Sequence, residues 1–463
     1  MKYFMKKIYG GLRNASGVPS GELAVIFPQL GNIVNFKVNA FRERVFTPGS
    51  TFFLFLWQTL NSAACAETVQ KAALHHWKSK GKTVSSGTSA YCQARKKLSG
   101  TFLEKVFGLV SDSCESETKG AYLWRGRNVK IVDGTSVSMP DTPENQGEYP
   151  QPSVQKKGCG FPIARILAVF SLASGALVKF ASSSLHSGEQ TLLRGIMHIF
   201  SCGDVILSDR GFCSYADMEK LMGMGIDFVI RMRERTIKNF TVVKKLGKDD
   251  LIIRWRKPDC RLKWMSKEQW SQVPDEICLR KITYHITIPG FRTDSVTVLT
   301  SLTDAVLFPK KSFAELYLRR WNAELNLRHI KTTMKMDVLR CLTPDMVRKE
   351  ILIHFIAYNL VRHLMLRSAR EHSLRPDSVS FKYSLTAIEQ WVQAISSDNN
   401  SRKHAEILEK FILSLIADAV LPHRPFRREP RAVKRRRKPY QILTKPRKIF
   451  MEIQHIKKYK KSS

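Results

Sequence analysis

The chain is poor in acids and lacks any pattern of paired cysteines. Its nine cysteines, at positions 65, 92, 114, 159, 202, 213, 260, 278 and 341, are odd in number, and none makes a CxxC pair. That argues against both a disulfide framework and a zinc site, and it suits a reducing compartment. Long apolar runs are also missing. The stretch Thr51 to Leu60 (TFFLFLWQTL) is apolar, but it has about half of the ~20 residues that a membrane-spanning helix needs. It reads as a buried helix. The opening MKYFMKKIYGGL is basic without a following apolar run, so it does not read as a secretory signal. These absences together point to a soluble, cytoplasmic protein with no membrane partner.

What is abundant is positive charge. Lys and Arg number 76 against 40 acids, a net charge of +36. Such an excess says little about fold but predicts attraction to polyanions, nucleic acid first. An anionic membrane surface and a ribosomal or packaging role are the rivals. Otherwise, 43% hydrophobic and 25% charged residues describe an ordinary globular protein, and 463 residues exceed what one core usually organises. Two or more domains are expected.

Residues 1–118 read as helical, with Gly/Ser punctuation at Gly49-Ser50, Ser85 to Gly87 and Ser99-Gly100. Within them, Arg95, Lys96 and Lys97 sit on a short helical segment and are candidates for reading DNA sequence. Residues 119–235 change character. Val129 to Val132 is a β-branched run ending at Asp133. Arg165 to Leu172 and Ala176 to Ser183 form a hairpin pattern around Ala173-Ser174-Gly175. A helix pattern (Glu189 to Phe200), an apolar run (Val205 to Ser208) ending at Asp209, a helix (Tyr215 to Met224) and a strand (Phe228 to Met232) follow. That order suggests a mixed α/β sheet. Residues 236–304 are rich in short strand signals and read as a β-rich insertion. Residues 305–370 return to helical periodicity, and 371–463 hold further helices and a basic tail. From 423 to 463, sixteen Lys and Arg oppose Glu429 and Glu452, a local charge of +14. The tail reads as a source of salt-sensitive, non-specific affinity for DNA. No internal repeat is found.

The helix after Pro309 carries the most information. Ser312 to Glu315 fits a capping box, and the helix is expected to continue to about Met336, before the break at Thr343-Pro344. At about 100° per residue, Tyr317, Arg320, Glu324, Arg328 and Lys331 fall on one stripe. Read alone, that stripe is a solvated face with an Arg320–Glu324 pair, and Asp133 and Asp209 are each a turn or cap residue. Read together, the residues describe a site for metal and phosphate. A carboxylate among cations can hold a metal against a phosphodiester, while an Arg fork, a Lys point charge and a phenol grip neighbouring phosphates. One carboxylate cannot hold two divalent ions, and the two strand-end aspartates are the acids available to complete the set.

The spacing Tyr317-x2-Arg320-x3-Glu324-x6-Lys331 resembles the Tyr-Arg-Glu-Lys signature of bacterial insertion-sequence transposases of the IS-four type. The IVDGTSVSMPDTPENQ block around Asp133 and the VILSDRGF block around Asp209 resemble that family's two other acidic regions. The likeness covers most of residues 50 to 440. It implies a ribonuclease-H-like catalytic core with a β-rich insertion, a helical N-terminal DNA-end-binding region, and a helical C-terminal region with the basic tail. It implies Asp133, Asp209 and Glu324 as a catalytic, metal-holding triad for two Mg²⁺ ions, with Mn²⁺ as a substitute. Tyr317, Arg320, Lys331 and Arg210 become candidate DNA-binding residues. The implied activity is cut-and-paste transposition by a homodimer acting on its own terminal inverted repeats and on target DNA. One departure stands out. The best-known members hold a flipped base with a Trp on the last insertion strand, and here Ser295 to Leu302 has none. Base flipping and a hairpin intermediate are thus left open. A metal-dependent nuclease without strand transfer, and a decayed, purely DNA-binding transposase, are the alternative functions.

Overall fold

A computed structural model of the chain describes residues 27, 30, 45–118, 120–233, 240–285, 295–395, 402–422, 443 and 445–451. Most of the basic tail lies outside the described residues. The first helices described are α1 (Pro48–Leu60), α2 (Cys65–Lys80), α3 (Ser89–Lys97) and α4 (Gly100–Ser116). Gly49-Ser50 does not interrupt the chain as expected. The Thr47 hydroxyl accepts the Ser50 amide at 3.2 Å and Pro48 takes the first helical position, so both residues fall inside a capped first turn. The apolar run Thr51 to Leu60 is the body of α1 and is almost wholly buried. Among the described residues, no helix is long and apolar enough to cross a membrane. All nine cysteines are free thiols.

A single mixed sheet organises the centre. Its strands are β1 (Val129–Ser138), β2 (Ile163–Ser171), β3 (Leu177–Ser184), β4 (Val205–Ser208), β5 (Asp227–Arg231), β6 (Phe240–Gly247), β7 (Asp250–Arg256), β8 (Glu276–His285) and β9 (Ser295–Thr300), and their spatial order is 3-2-1-4-5-9-8-7-6. β1 runs parallel to β4, β4 parallel to β5, and the remaining pairs are antiparallel. The strands of 240–300 pair antiparallel with one another but do not form a separate sheet. β9 pairs with β5, and the β-rich stretch continues the sheet. Alternation along β1 explains why it is central: Val129 and Ile131 enter one core, while Val132 enters the core on the opposite face.

Helix α5 (Pro143–Glu148) precedes β2, and the second core is covered by α6 (Glu189–Ile196), α7 (Tyr215–Gly223) and Trp270 of α8 (Lys267–Gln272), which lies between β7 and β8. The first core is closed by α4 and by α9 (Lys310–Leu318), α10 (Trp321–Arg328), α11 (Pro344–Glu371), α12 (Phe381–Ile395) and α13 (Arg402–Asp418); a short α14 (Arg447–Met451) follows. α11 passes through the middle of that core and clamps the β2–β3 hairpin with three polar side chains. Tyr358 Oη donates to Gly175 O at 2.7 Å, Arg362 Nη2 donates to Ser174 O at 2.7 Å, and the buried Asn359 amide both donates to and accepts from the Leu177 backbone at 2.8 Å. The clamp needs a glycine at 175. Its φ is +69°, and a Cβ there would lie 1.8 Å from Arg362 Nη2.

Candidate active site

The parallel register of β1 and β4 brings two acids together. Val132 pairs with Ser208, so Asp133 and Asp209, the next residue on each chain segment, stand side by side at about one strand spacing, ~4.8 Å. β4 ends at Ser208 as expected, but β1 runs on to Ser138. Asp133 therefore lies mid-strand opposite Ala168 and not at a strand end, because pairing with β2 continues past it. Each carboxylate is held by a nearby amide. Asp133 Oδ1 accepts from Gly134 N at 2.9 Å, and Asp209 Oδ1 accepts from Gly211 N at 2.7 Å. The turn after Asp209 is tight: a Cβ on residue 211 would sit 2.9 Å from Asp209 Oδ1. Arg210, in that turn, is exposed.

The third acid arrives on α10. The expected single helix from Ser312 to Met336 is in fact three pieces. α9 ends at Leu318, α10 begins at Trp321, and His329–Thr333 forms a π-helical turn. At the break, the amides of Arg319, Arg320, Asn322 and Ala323 each reach back three residues. Two consecutive arginines there turn to opposite sides: Arg319 pairs with Asp377 at 3.8 Å and Arg320 with Asp133 at 3.8 Å. The expected capping box is also absent. Pro309 is itself the N-cap, since it has no amide to satisfy and its fixed φ suits the position, so Ser312 lies inside the helix and its hydroxyl donates to Pro309 O at 2.7 Å.

Arg320 is the centre of the arrangement. Its side chain is 10% exposed; Nη2 donates to Glu324 Oε1 at 3.0 Å while Nη1 lies 3.8 Å from Asp133 Oδ2. Its guanidinium carbon stands 5.0 Å from the Trp321 ring and 5.9 Å from the Tyr317 ring. A guanidinium thus bridges the strand acid and the helix acid. Burial pushes the Asp133 carboxyl up to about 6. The Gly134 amide and Arg320 oppose that rise, and the charges of Asp209 and Glu324 add to it. All three acids therefore feel one another's charge at Asp133.

The other residues of the stripe divide. Lys331 Nζ donates to Thr135 Oγ1 at 3.2 Å and to Ser136 O at 2.8 Å, which seats it on β1 two residues past Asp133. Tyr317 is 7% exposed, its ring 6.4 Å from that of Tyr284 on β8, and burial raises its phenol above the usual range. Glu324 is the exposed acid, with 44% of its side chain accessible. Arg328 leaves the stripe and lines a cavity behind α10. Thr135, Ser136, Trp321 and Tyr284 complete the surroundings and were not singled out in the sequence. Thr135 and Ser136 had a signal, as hydroxyl residues directly after Asp133-Gly134 on the same strand; Tyr284 had none.

The donors are hard oxygen ligands of the kind that hold Mg²⁺ or Mn²⁺. Among the described residues, no three His, Cys, Asp or Glu side chains stand close enough to hold a metal as they are. A positive group, Arg320, occupies the space between two of the carboxylates. The residues therefore fit a divalent cation in chemistry and charge, provided Arg320 gives way. Trp255, one of the three tryptophans of the 236–304 stretch, is buried against Tyr215, with ring centroids 5.2 Å apart.

Comparison with known proteins gives the family. Residues 124–360, just over half of the chain, match the transposase DDE domain family. The transposase InsG of insertion sequence element IS4 from Escherichia coli (strain K12) is 28% identical over 369 residues, spanning 78% of this chain and 79% of that one. Among solved structures, a piggyBac transposase synaptic complex with hairpin DNA aligns over 86% of this chain and 82% of its own at a TM-score of 0.39 and 11% identity, too loose a likeness to carry an argument. The DDE transposases cleave DNA and transfer its strands with divalent metal ions, and the family match, centred on the region that carries Asp133, Asp209 and Glu324, places this chain in that family as a DNA transposase.

Proposed function

We propose that this transposase moves its own insertion sequence by cut-and-paste, on a ribonuclease-H-like core, with Asp133, Asp209 and Glu324 as the metal-holding triad. The observation that carries the reading is the convergence at Asp133: Asp209 lies beside it through the β1–β4 register, and Arg320 links it to Glu324. The strand order 3-2-1-4-5, with β1, β4 and β5 parallel, supports the ribonuclease-H-like assignment. On this reading the core is 119–235 and 305–370, residues 1–118 bind the element's ends, 236–304 are an insertion, and 371–463 carry C-terminal helices and the basic tail.

Two Mg²⁺ ions, replaceable by Mn²⁺, would be held by the three carboxylates and would supply Lewis acidity and an activated water. The chain's own residues do the positioning. Lys331, seated on β1, offers a point charge to a phosphate beside the cut. Arg320 exchanges its two carboxylates for phosphate oxygens, and the Tyr317 hydroxyl and the exposed Arg210 extend the grip. Such contacts position DNA without reading its sequence. Hydrolysis at the element's end frees a 3′-hydroxyl, which then attacks target DNA. The working unit is a homodimer bridging two terminal inverted repeats, acting in the cytoplasm. Purified Glu324→Gln should lose strand cleavage in Mg²⁺ and keep its binding to the terminal repeats. Normal cleavage by this variant would refute the triad, and cleavage without strand transfer by the unaltered protein would favour a nuclease.

A further inference from the structure

Away from the triad, a cavity of about 640 Å³ lies where α1, α2 and α3 meet the segment that follows the π-helical turn and the first part of α11. Arg95 of α3 lines it. Arg95 is 9% exposed, whereas Lys96 and Lys97 are exposed. Arg95 therefore does not face solvent as a DNA-reading residue would. Its guanidinium carbon lies 5.0 Å from the Phe55 ring and 5.0 Å from the Tyr91 ring, and Nη2 touches the Cys65 and Cys92 sulfurs at 3.3 and 3.6 Å. Among the described residues no carboxylate pairs with it, and its Nε has no hydrogen-bond partner. The nearest candidate, Glu350, is committed to the amides of Arg340 and Cys341 at 3.0 Å. His354, 8% exposed, lines the same cavity with an unpartnered Nδ1.

A buried cation with no carboxylate in ion-pair contact is costly, and the longer-range charge of Glu350 and two aromatic faces offset only part of that cost. A guanidinium in the wall of a cavity, with further cations at Lys96, Lys335 and Arg340 that outnumber the acids Glu144 and Glu350, gives the wall the positive charge of an anion site. The volume falls within the range of small-molecule pockets, the walls are partly aromatic, and the guanidinium fork matches a phosphate better than any other common anion. We propose that this cavity binds a nucleotide phosphate through Arg95. The phosphate comes either from a nucleotide of bound DNA or from a free nucleotide. Occupancy would join the N-terminal helices to the core.

The test is thermal unfolding of the full chain in phosphate-free buffer at fixed ionic strength, titrated with deoxyadenosine 5′-monophosphate or inorganic phosphate. A saturable rise in Tm of a few degrees is expected. Arg95→Met should abolish the rise without lowering the ligand-free Tm, because it removes an unpaired charge. The exposed rim variant Lys335→Glu should weaken binding at least several-fold while leaving the fold intact. The proposal fails if sodium chloride at equal ionic strength gives the same curve. It also fails if Lys335→Glu binds as the unaltered protein does, or if Arg95→Met keeps the shift or loses the ligand-free fold. Competition by duplex DNA for the bound mononucleotide identifies DNA as the source; simultaneous binding identifies a free nucleotide, and either result upholds the site.

Discussion

Arg320 stands where a divalent cation is needed, so its removal should improve metal binding in the DNA-free protein. It lies 3.0 Å from Glu324 and 3.8 Å from Asp133. A charge pair at about 4 Å is worth roughly 4 kcal/mol at an effective dielectric of ~20. Water reduces that figure here. The Glu324 side chain is 44% exposed, which brings its pair to about 0–1 kcal/mol. Asp133, with 18% of its side chain accessible, retains more, and the two together come to roughly 2 kcal/mol. At 1.4 kcal/mol per factor of ten, Arg320→Met should bind Ca²⁺ about tenfold or more tighter than the unaltered protein, by calorimetry at pH 7.5 without DNA. Arg320→Lys, which keeps the charge but not the fork, should fall between. The same Arg320→Met variant should cleave DNA poorly, since it lacks a phosphate partner. Unchanged or weaker Ca²⁺ binding in Arg320→Met would show that the guanidinium is no competitor for the metal.

Three further outcomes are expected. Lys331→Ala should weaken the cleavage complex and lower the slope of log affinity against log salt by about one; an unaltered slope would remove Lys331 from the phosphate contacts. Arg280 on β8 is fully buried, holds both oxygens of Asp250 at 2.6 and 2.8 Å and donates to Phe308 O at 2.7 Å just before α9. Arg280→Met leaves Asp250 buried and unpaired, which should cost about 3–5 kcal/mol in urea unfolding, and a loss under 1 kcal/mol would contradict that account. Burial pushes the His354 imidazole down to about 3. The unfolded chain, with a pKa near 6.5, therefore takes up a proton that the folded one refuses. Stability from this group is intact above pH ~6.5 and declines as pH falls towards about 3, by roughly 2 kcal/mol at pH 5. The gap in Tm between pH 7.5 and pH 5 should narrow in His354→Leu; a gap of the same size would rule this histidine out as a source of acid sensitivity.

Strand positions were readable because a β-branched run between turn residues has few other uses. Val205 to Ser208 is a strand with the expected bounds, and the hairpin around Gly175 forms as its pattern indicates. Partner choice was not readable. The alternating runs of 240–300 announce strands, yet nothing local says that β9 pairs with β5 and extends the sheet. The signature helix failed in a related way. A uniform 100° per residue places five residues on one stripe, but the break at Arg319-Arg320 and the π-helical turn at 329–333 interrupt that rotation. Arg319 and Arg320 answer to Asp377 and Asp133, acids far from them in the chain. Arg95 looked like a surface cation because its two neighbours are lysines; its burial depends on Phe55 and Tyr91 and on the segment after the π-helical turn.

By itself the sequence determined the polyanion-seeking charge, the mixed α/β sheet, the family, and the three acids and four DNA-facing candidates worth testing. Residue type and short-range spacing carry that much, since charge adds without regard to fold and local periodicity selects a helix or a strand. Tertiary structure alone decided that Asp133 and Asp209 emerge together from parallel neighbours, that Arg320 bridges Asp133 to Glu324, and that Tyr317 is buried beside Tyr284. A residue's own helix or strand determines which way it faces. What it meets there is supplied by residues tens to hundreds of positions away, and in this protein those meetings set the state of the candidate site.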